Sequence, residues 1–341
     1  MKRMIGIISA CAVIAVLATS ALASQAKPAE QQTINVPPEE AKAYEPIEKA
    51  LTADDAITAA KAFMEKYPKS AALPQVEIAV FNKIVDLPKD DKRAALTATY
   101  TQMFAGTALA ADLDYSLLSY WLDKSDFTKA SAIIDAYSAK HPDDIRSQVV
   151  GLSVAIDALK KQNPSLIAWG TAHGAKAIAQ FEGTTMPSGF KDDAEWKAYR
   201  ATNEPVTYQS YGIIGLVTGD DAMAGANFRK AIAINASDPF NYMLLANVEE
   251  GKYDTLAKQF NDQPDKKAPD AVKIMDAANA QMDEVIKLLA KAVALADGST
   301  NPQYQAILAQ ARPALEAKYK QRHNNLNGLD ALIKSSKTPQ P

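Results

Sequence analysis

Few residues in this chain are of a type and spacing that could do chemistry. His141, His173 and His323 are the only imidazoles among 341 residues, and the one cysteine is Cys11. No two histidines stand four apart and none belongs to a His-Glu-x-x-His run, so a zinc site on one helix face has no ligands. Gly-x-Ser-x-Gly, Walker and Gly-x-Gly-x-x-Gly motifs are also missing. Carboxylates remain: Asp90-Asp91, Asp143-Asp144, Asp192-Asp193 and Asp220-Asp221 offer pairs, and two acids facing across a cleft can hydrolyse a glycoside. Each pair, however, opens a predicted helix, where aspartate accepts from the free N–H groups of the first turn. The expectation is a protein that is not an enzyme and needs neither cofactor nor metal, with a hydrolase kept as the reading that converging carboxylates would revive.

The elements that would position these residues begin after an export signal. Lys2 and Arg3, the apolar run from Ile5 to Leu17 and the small residues Ala21-Leu22-Ala23 have the three parts of a signal peptide, placing residues 1–23 outside the mature protein. Ile8-Ser9-Ala10-Cys11 offers a lipoprotein processing box as the competing reading. Cutting before Cys11 would leave few apolar residues upstream, so cleavage near Ala23 is the expectation, with a periplasmic or secreted product. That cut removes two of the 37 basic residues and none of the 40 acidic ones, taking the formal charge from −3 to −5. Nucleic-acid and anionic-membrane binding need a positive excess and are disfavoured. With 63 alanines against 14 glycines, the composition suits closely packed helices.

Proline and acidic punctuation marks out helices and no alternating strand. Pro37-Pro38-Glu39-Glu40 sets proline at a first helical position and acids in the first turn. Ile57, Ala60, Phe63 and Met64 then recur at three and four residues before Pro68 closes the segment. The same grammar predicts helices at about 38–50, 54–67, 72–86, 90–105, 111–123, 126–140, 143–161, 164–181, 192–202, 206–218, 220–234, 238–249, 252–261, 268–296, 302–311 and 313–325. A polar leader, 24–36, precedes them and a short tail, 336–341, follows. Residues 183–191, with Gly183, Pro187 and Gly189, read as a loop between an N-terminal array, 37–182, and a C-terminal array, 192–335.

Self-similarity is clearest over Thr207 to Asp238. Tyr208, Tyr211, Gly212 and Gly215 fall on one helix, Gly219-Asp220 make a turn, and Ala224, Phe228, Ala231 and Ile232 fall on the next. Small residues at 212, 224 and 231 let two antiparallel helices approach while the aromatics fill what remains. This spacing resembles the tetratricopeptide repeat. Leu117, Leu118, Trp121, Ala130, Ile134, Tyr137 and Pro142 form a similar unit; Ala56, Ala60, Phe63 and Pro68 match its second half; and Tyr242, Leu245, Ala246, Gly251, Tyr253 and Phe260 form a shortened one. Phe63 to Ser70 is also similar to the helix-end phrase of tetratricopeptide proteins of the bacterial envelope. The resemblance covers about half the mature chain and departs from the family at Gly215 and Ala236. It implies an all-α, right-handed α-solenoid of degenerate repeat-like helix pairs.

The resemblance further implies a concave groove lined by the first helix of each pair. Its groove-facing positions are Asp112, Tyr115, Ser119, Leu122 and Asp123 on one unit and Val206, Gln209, Ile213, Leu216 and Val217 on the other, of which all but Asp123 and Val217 are expected to bind the partner. Family members that clamp a C-terminal carboxylate use lysine and asparagine where this chain has Gln209 and Ile213, which argues against an acidic peptide. An apolar or amphipathic helix from a protein partner fits better, unless a neighbouring helix of the same chain covers those positions. Val272, Asn279, Ile286 and Val293, with Met275, Met282, Leu289 and Ala296, form a seven-residue pattern in 268–296. It is a possible homo-oligomer seam, although Ala278, Val285 and Ala292 widen the face toward one buried in its own chain. The leading functional expectation is thus an exported protein-interaction scaffold of the cell envelope. The alternative is an exported helical binding protein enclosing an apolar or small ligand.

Overall fold

A computed structural model describes residues 36–337. The signal segment with Cys11, most of the leader and the last four residues lie outside the described part. Fifteen α-helices and a short 3-10 turn make up its regular structure, with no strand among the described residues.

The helix starts follow the local sequence. Asp90 accepts from Arg93 N at 2.9 Å, Asp144 from Arg146 N at 3.0 Å, Asp192 from Glu195 N at 2.9 Å and Asp220 from Met223 N at 2.8 Å. All four aspartate pairs therefore cap helices, satisfying N–H groups that have no partner in the first turn.

The chain divides into two compact units, whose described parts are 36–154 and 155–337. The first contains α1 (Pro38–Glu48), α2 (Ala53–Lys66), α3 (Leu73–Ile84), α4 (Asp91–Met103), α5 (Ala108–Tyr115), α6 (Leu118–Asp123), α7 (Phe127–Lys140) and the start of α8 (Ile145–Lys160). Its main packed pairs are helices adjacent in sequence or one apart, from α1–α2 and α1–α3 to α5–α7 and α6–α7. Ile47, Phe63, Val76, Phe81, Ile84, Tyr100 and Leu113 form one buried core through them.

The second unit holds the rest of α8, the 3-10 turn Pro164–Leu166, α9 (Ile167–Glu182), α10 (Asp193–Thr218), α11 (Asp221–Ile234), α12 (Pro239–Asn261), α13 (Pro269–Ala296), α14 (Pro302–His323) and α15 (Leu329–Ser335). Here too packing links sequence neighbours, with α10–α12, α12–α14 and α13–α15 one step further. Gly219 ends α10 at φ +79°, and Asp220 N donates back to Gly215 O at 2.8 Å, a left-handed turn that suits a residue without Cβ.

Three predicted breaks are not breaks. α10 runs through Pro205, where the Arg200 guanidinium grips Glu204 at 2.9 and 3.0 Å and Thr207 Oγ1 donates to Asn203 O at 2.7 Å. α12 runs through Gly251, so the segment expected to form a shortened repeat is one helix rather than a pair. Gly251 is buried and α13 packs along this helix, which offsets the roughly 1 kcal/mol that an interior glycine costs. α14 continues through Pro313, with Ala311 and Leu315 buried on either side of it.

The predicted helix 111–123 does the reverse and splits into α5 and α6. Arg93 donates to Ser116 Oγ at 2.7 Å, and that hydroxyl donates to Leu113 O at 2.6 Å, so a neighbouring helix holds the interruption in place. α15 has no counterpart among the predicted helices. It starts at Gly328, φ +90°, and is held by buried Leu329 and Ile333 against α13.

Candidate functional site

The eight positions expected to meet a partner divide equally between the two units. On α5, Asp112 is half-buried with Oδ1 2.7 Å from His141 Nε2. Burial pushes the Asp112 carboxyl above its ordinary range, and His141 partly restores it. Tyr115 is 6% exposed and its ring stacks on Tyr137 with centroids 4.0 Å apart. Tyr137 donates in turn to Asp144 Oδ2 at 3.0 Å. Asp112 and Tyr115 are thus held by α7 and the turn that follows it, so the structure places Tyr115 in the interior.

Ser119 and Leu122 differ, because α6 anchors mainly through buried Leu118 and leaves the rest of its turns half-exposed. Tyr120 and Trp121 stand between them, edge to face with centroids 4.8 Å apart. Tyr120 donates to Asp91, and Lys124 reaches the same carboxylate at 2.5 Å while lying 4.7 Å from the Tyr120 ring centre. Lys129 sits 6.0 Å from the Trp121 ring centre and 3.7 Å from Asp114. The outcome is a strip, Ser119-Tyr120-Trp121-Leu122, in which Asp91 and Lys124 hold the Tyr120 ring and Trp121 packs edge to face against it near Lys129. Its two aromatics were absent from the expected groove set; adjacent Tyr and Trp on a short helix were the available signal.

On α10 the four positions separate in the same manner. Val206 and Leu216 are half-buried, whereas Gln209 is 5% exposed and Ile213 fully buried. The Gln209 amide donates to Asp238 Oδ2 and to Asn241 Oδ1, both at 2.9 Å, and so ties α10 to the start of α12. This is the case in which the chain's own helix occupies the groove-facing positions. The long helix behaves alike: Ala278, Met282, Val285, Ile286, Leu289 and Val293 of α13 are buried, and α12, α14 and α15 pack on it. Only toward its start does the seven-residue pattern surface, with Val272 46% exposed.

Chemical convergence is limited. Among the described residues, no group of three or more His, Cys, Asp and Glu side chains could hold a metal ion. An open depression lies along Gln305, Leu308, Ala309, Arg312, Pro313 and Glu316, all from α14, so it brings together no groups from different elements. No described helix is long and apolar enough to cross a membrane.

A polar clamp centres on Glu249 of α12. Its carboxylate binds Arg229 of α11 and Lys252, and accepts from Gln281 Nε2 of α13 at 2.7 Å. Burial pushes Glu249 up, but Lys252, Gln281 and Arg229 more than reverse this and leave it below its ordinary range. A depressed folded-state value stabilises above the unfolded-state value and is lost as pH falls through the folded one. Both cations are half-exposed, so solvent screens the pairs. Glu249→Gln is expected to cost about 1–2 kcal/mol at neutral pH and nothing once the wild-type carboxyl is protonated, read by urea titrations at both pH values. An equal cost at both would contradict it.

No family model, curated protein or solved structure matches this chain.

Proposed function

We propose that the protein is an exported, non-catalytic scaffold of the bacterial cell envelope, a right-handed solenoid of degenerate tetratricopeptide-like pairs that binds a protein partner through α6. The observation that carries the binding role is the half-exposed strip Ser119-Tyr120-Trp121-Leu122. Tyrosine and tryptophan held rigid at a surface are the residues on which protein interfaces most often concentrate their energy.

The architecture rests on two further supports. Packing runs between helices adjacent or one apart in sequence, as stacked pairs require. The repeat-like positions Tyr208, Gly212, Ala224, Phe228 and Ala231 are all buried, and at Gly212 an added Cβ would lie 2.6 Å from the Phe228 ring. The resemblance and the N-terminal sequence supply the envelope setting, which N-terminal sequencing of the exported protein tests by looking for a start near Ser24.

Affinity purification from envelope extracts tests the binding role. Trp121→Ala and Leu122→Asp, chosen because both side chains are half-exposed, are expected to keep the helical circular dichroism and to lose a captured partner by about tenfold or more, in line with the 2 kcal/mol or so that an aromatic anchor carries. Identical capture by folded variants and wild type would refute α6 as the contact surface.

A further inference from the structure

Glu77 of α3 is an ionisable group that the binding surface leaves unused. It is 9% exposed, and no lysine, arginine or histidine lies within ion-pair distance of it among the described residues. Its neighbours are hydroxyl groups. Oε1 lies against Thr107 Oγ1, the cap of α5, and 3.4 Å from the hydroxyl of Tyr100, which is fully buried on α4.

Counting hydrogens makes the arrangement informative. Thr107 Oγ1 accepts from Ala110 N at 3.1 Å and also faces two oxygens, Phe104 O at 3.0 Å and Glu77 Oε1. The hydroxyl owns one hydrogen and cannot donate to both. A proton on the carboxyl completes the set: Glu77 donates to Thr107, Thr107 donates to Phe104 O, and Ala110 N fills the second lone pair of the hydroxyl.

We propose that Glu77 is a proton-binding site that clasps α3 to the start of α5 when the surroundings acidify. The ionisable groups nearest it are a phenol and an acid, neither of them a cation. From α4 comes Tyr100, and from α5 Asp112, a second half-buried acid that acts on the same phenol and is itself engaged by His141 of α7. The causes that shift it are burial and the two hydroxyls, and no charged side chain of α1, α2, α3, α4 or α5 is among them. Burial raises the carboxyl above the usual glutamate range, and its two hydroxyl neighbours only partly oppose this. A raised folded-state value gives stability that is fully present below the unfolded-state value and is lost as pH rises through the folded one.

The test is a pH titration of the full exported chain carrying 13C-labelled glutamate, followed at Cδ, with Glu77→Gln used to assign the resonance. Glu77 is expected to titrate at a higher pH than the exposed glutamates in the same spectrum. The melting temperature of the wild type should rise as pH falls through that midpoint, relative to Glu77→Gln, whose amide donates to Thr107 at every pH. Should the glutamine variant not fold, Glu77→Asp supplies the assignment and the Cδ midpoint decides. A Glu77 midpoint at or below those of the exposed glutamates overturns the proposal.

Discussion

Gly215→Ala is expected to lower the urea midpoint of the 155–337 unit, although alanine is the better helix former by about 1 kcal/mol. A Cβ at this position would meet Ala224 N at 2.8 Å, Ala224 Cα at 3.1 Å and Asp220 O at 3.1 Å, all of them backbone atoms of the turn and of α11. No side chain can rotate away, so the helices must separate, at a cost of about 1–3 kcal/mol for overpacking and more where backbone has to shift. Gly170→Ala belongs to the same class, since its Cβ would collide with that of Ala155. Gly225→Ala is the control. Its Cβ would lie 3.1 Å from Arg229 Nη1 and 3.4 Å from Val248 Cγ1, side-chain atoms rather than backbone, so the midpoint should fall by less than in Gly215→Ala, the cost being the shift of Arg229 against Glu249. Trp169 and Trp196 both lie in this unit and report its unfolding by fluorescence, with Trp121 reporting the other. A Gly215→Ala midpoint at or above wild type would show that the close approach of α10 and α11 is not a constraint.

Ile213→Asp should have the larger effect, leaving little folded 155–337 unit at all. Ile213 has no exposed surface, and a carboxylate placed there would lose its water without gaining a cation. Buried unpaired charge is among the few single changes that cost on the order of 4 kcal/mol or more, comparable to the whole stability of a modest domain. Leu216→Asp, three residues along the same helix but half-exposed, should stay within about 1 kcal/mol of wild type. Near-ultraviolet circular dichroism and protease resistance of the two variants separate the cases. If Ile213→Asp folded normally, residue 213 would be available at the surface after all, and the groove reading of α10 would regain its central contact.

The contrast between these neighbours marks how far the chain can be read without coordinates. Helix starts were legible because capping is local: an aspartate such as Asp90, Asp192 or Asp220 needs only the N–H three residues on. The close contact of Gly212 with Phe228 was legible as well, since a helix pair joined by a short turn brings i and roughly i+16 together almost regardless of the rest. Pro205, Gly251 and Pro313 misled for the complementary reason. Each weakens a helix by an amount that local propensity records, and each is offset by contacts that propensity does not record: Arg200 with Glu204 and Thr207 with Asn203 across Pro205, and packing from neighbouring helices at Gly251 and Pro313. The split at Ser116 is the mirror case, with a favourable helical sequence interrupted because Arg93, 23 residues upstream, donates to the serine hydroxyl.

For the candidate site, the expected set held two residues of α6, Ser119 and Leu122, and neither of its aromatics. Asp112, Tyr115, Ser119 and Leu122 share a periodicity, and periodicity names a face without saying what lies against it. The stacking of Tyr115 on Tyr137 and the pairing of Asp112 with His141 turned half of that face inward, leaving Ser119 and Leu122 to share the surface with Tyr120 and Trp121.

The sequence by itself determined an all-helical chain, the positions of most helix ends and the small residues at which helices touch, because turns, caps and 3.6-residue periodicity act over a few residues. Tertiary structure alone decided which proline and glycine interruptions survive, that Gln209 and Ile213 face the chain's own helices, and that Glu77 lies among hydroxyls with no cation in ion-pair reach among the described residues. Those outcomes depend on side chains brought together from elements 20 or more residues apart, and no local pattern encodes what a distant helix will place there.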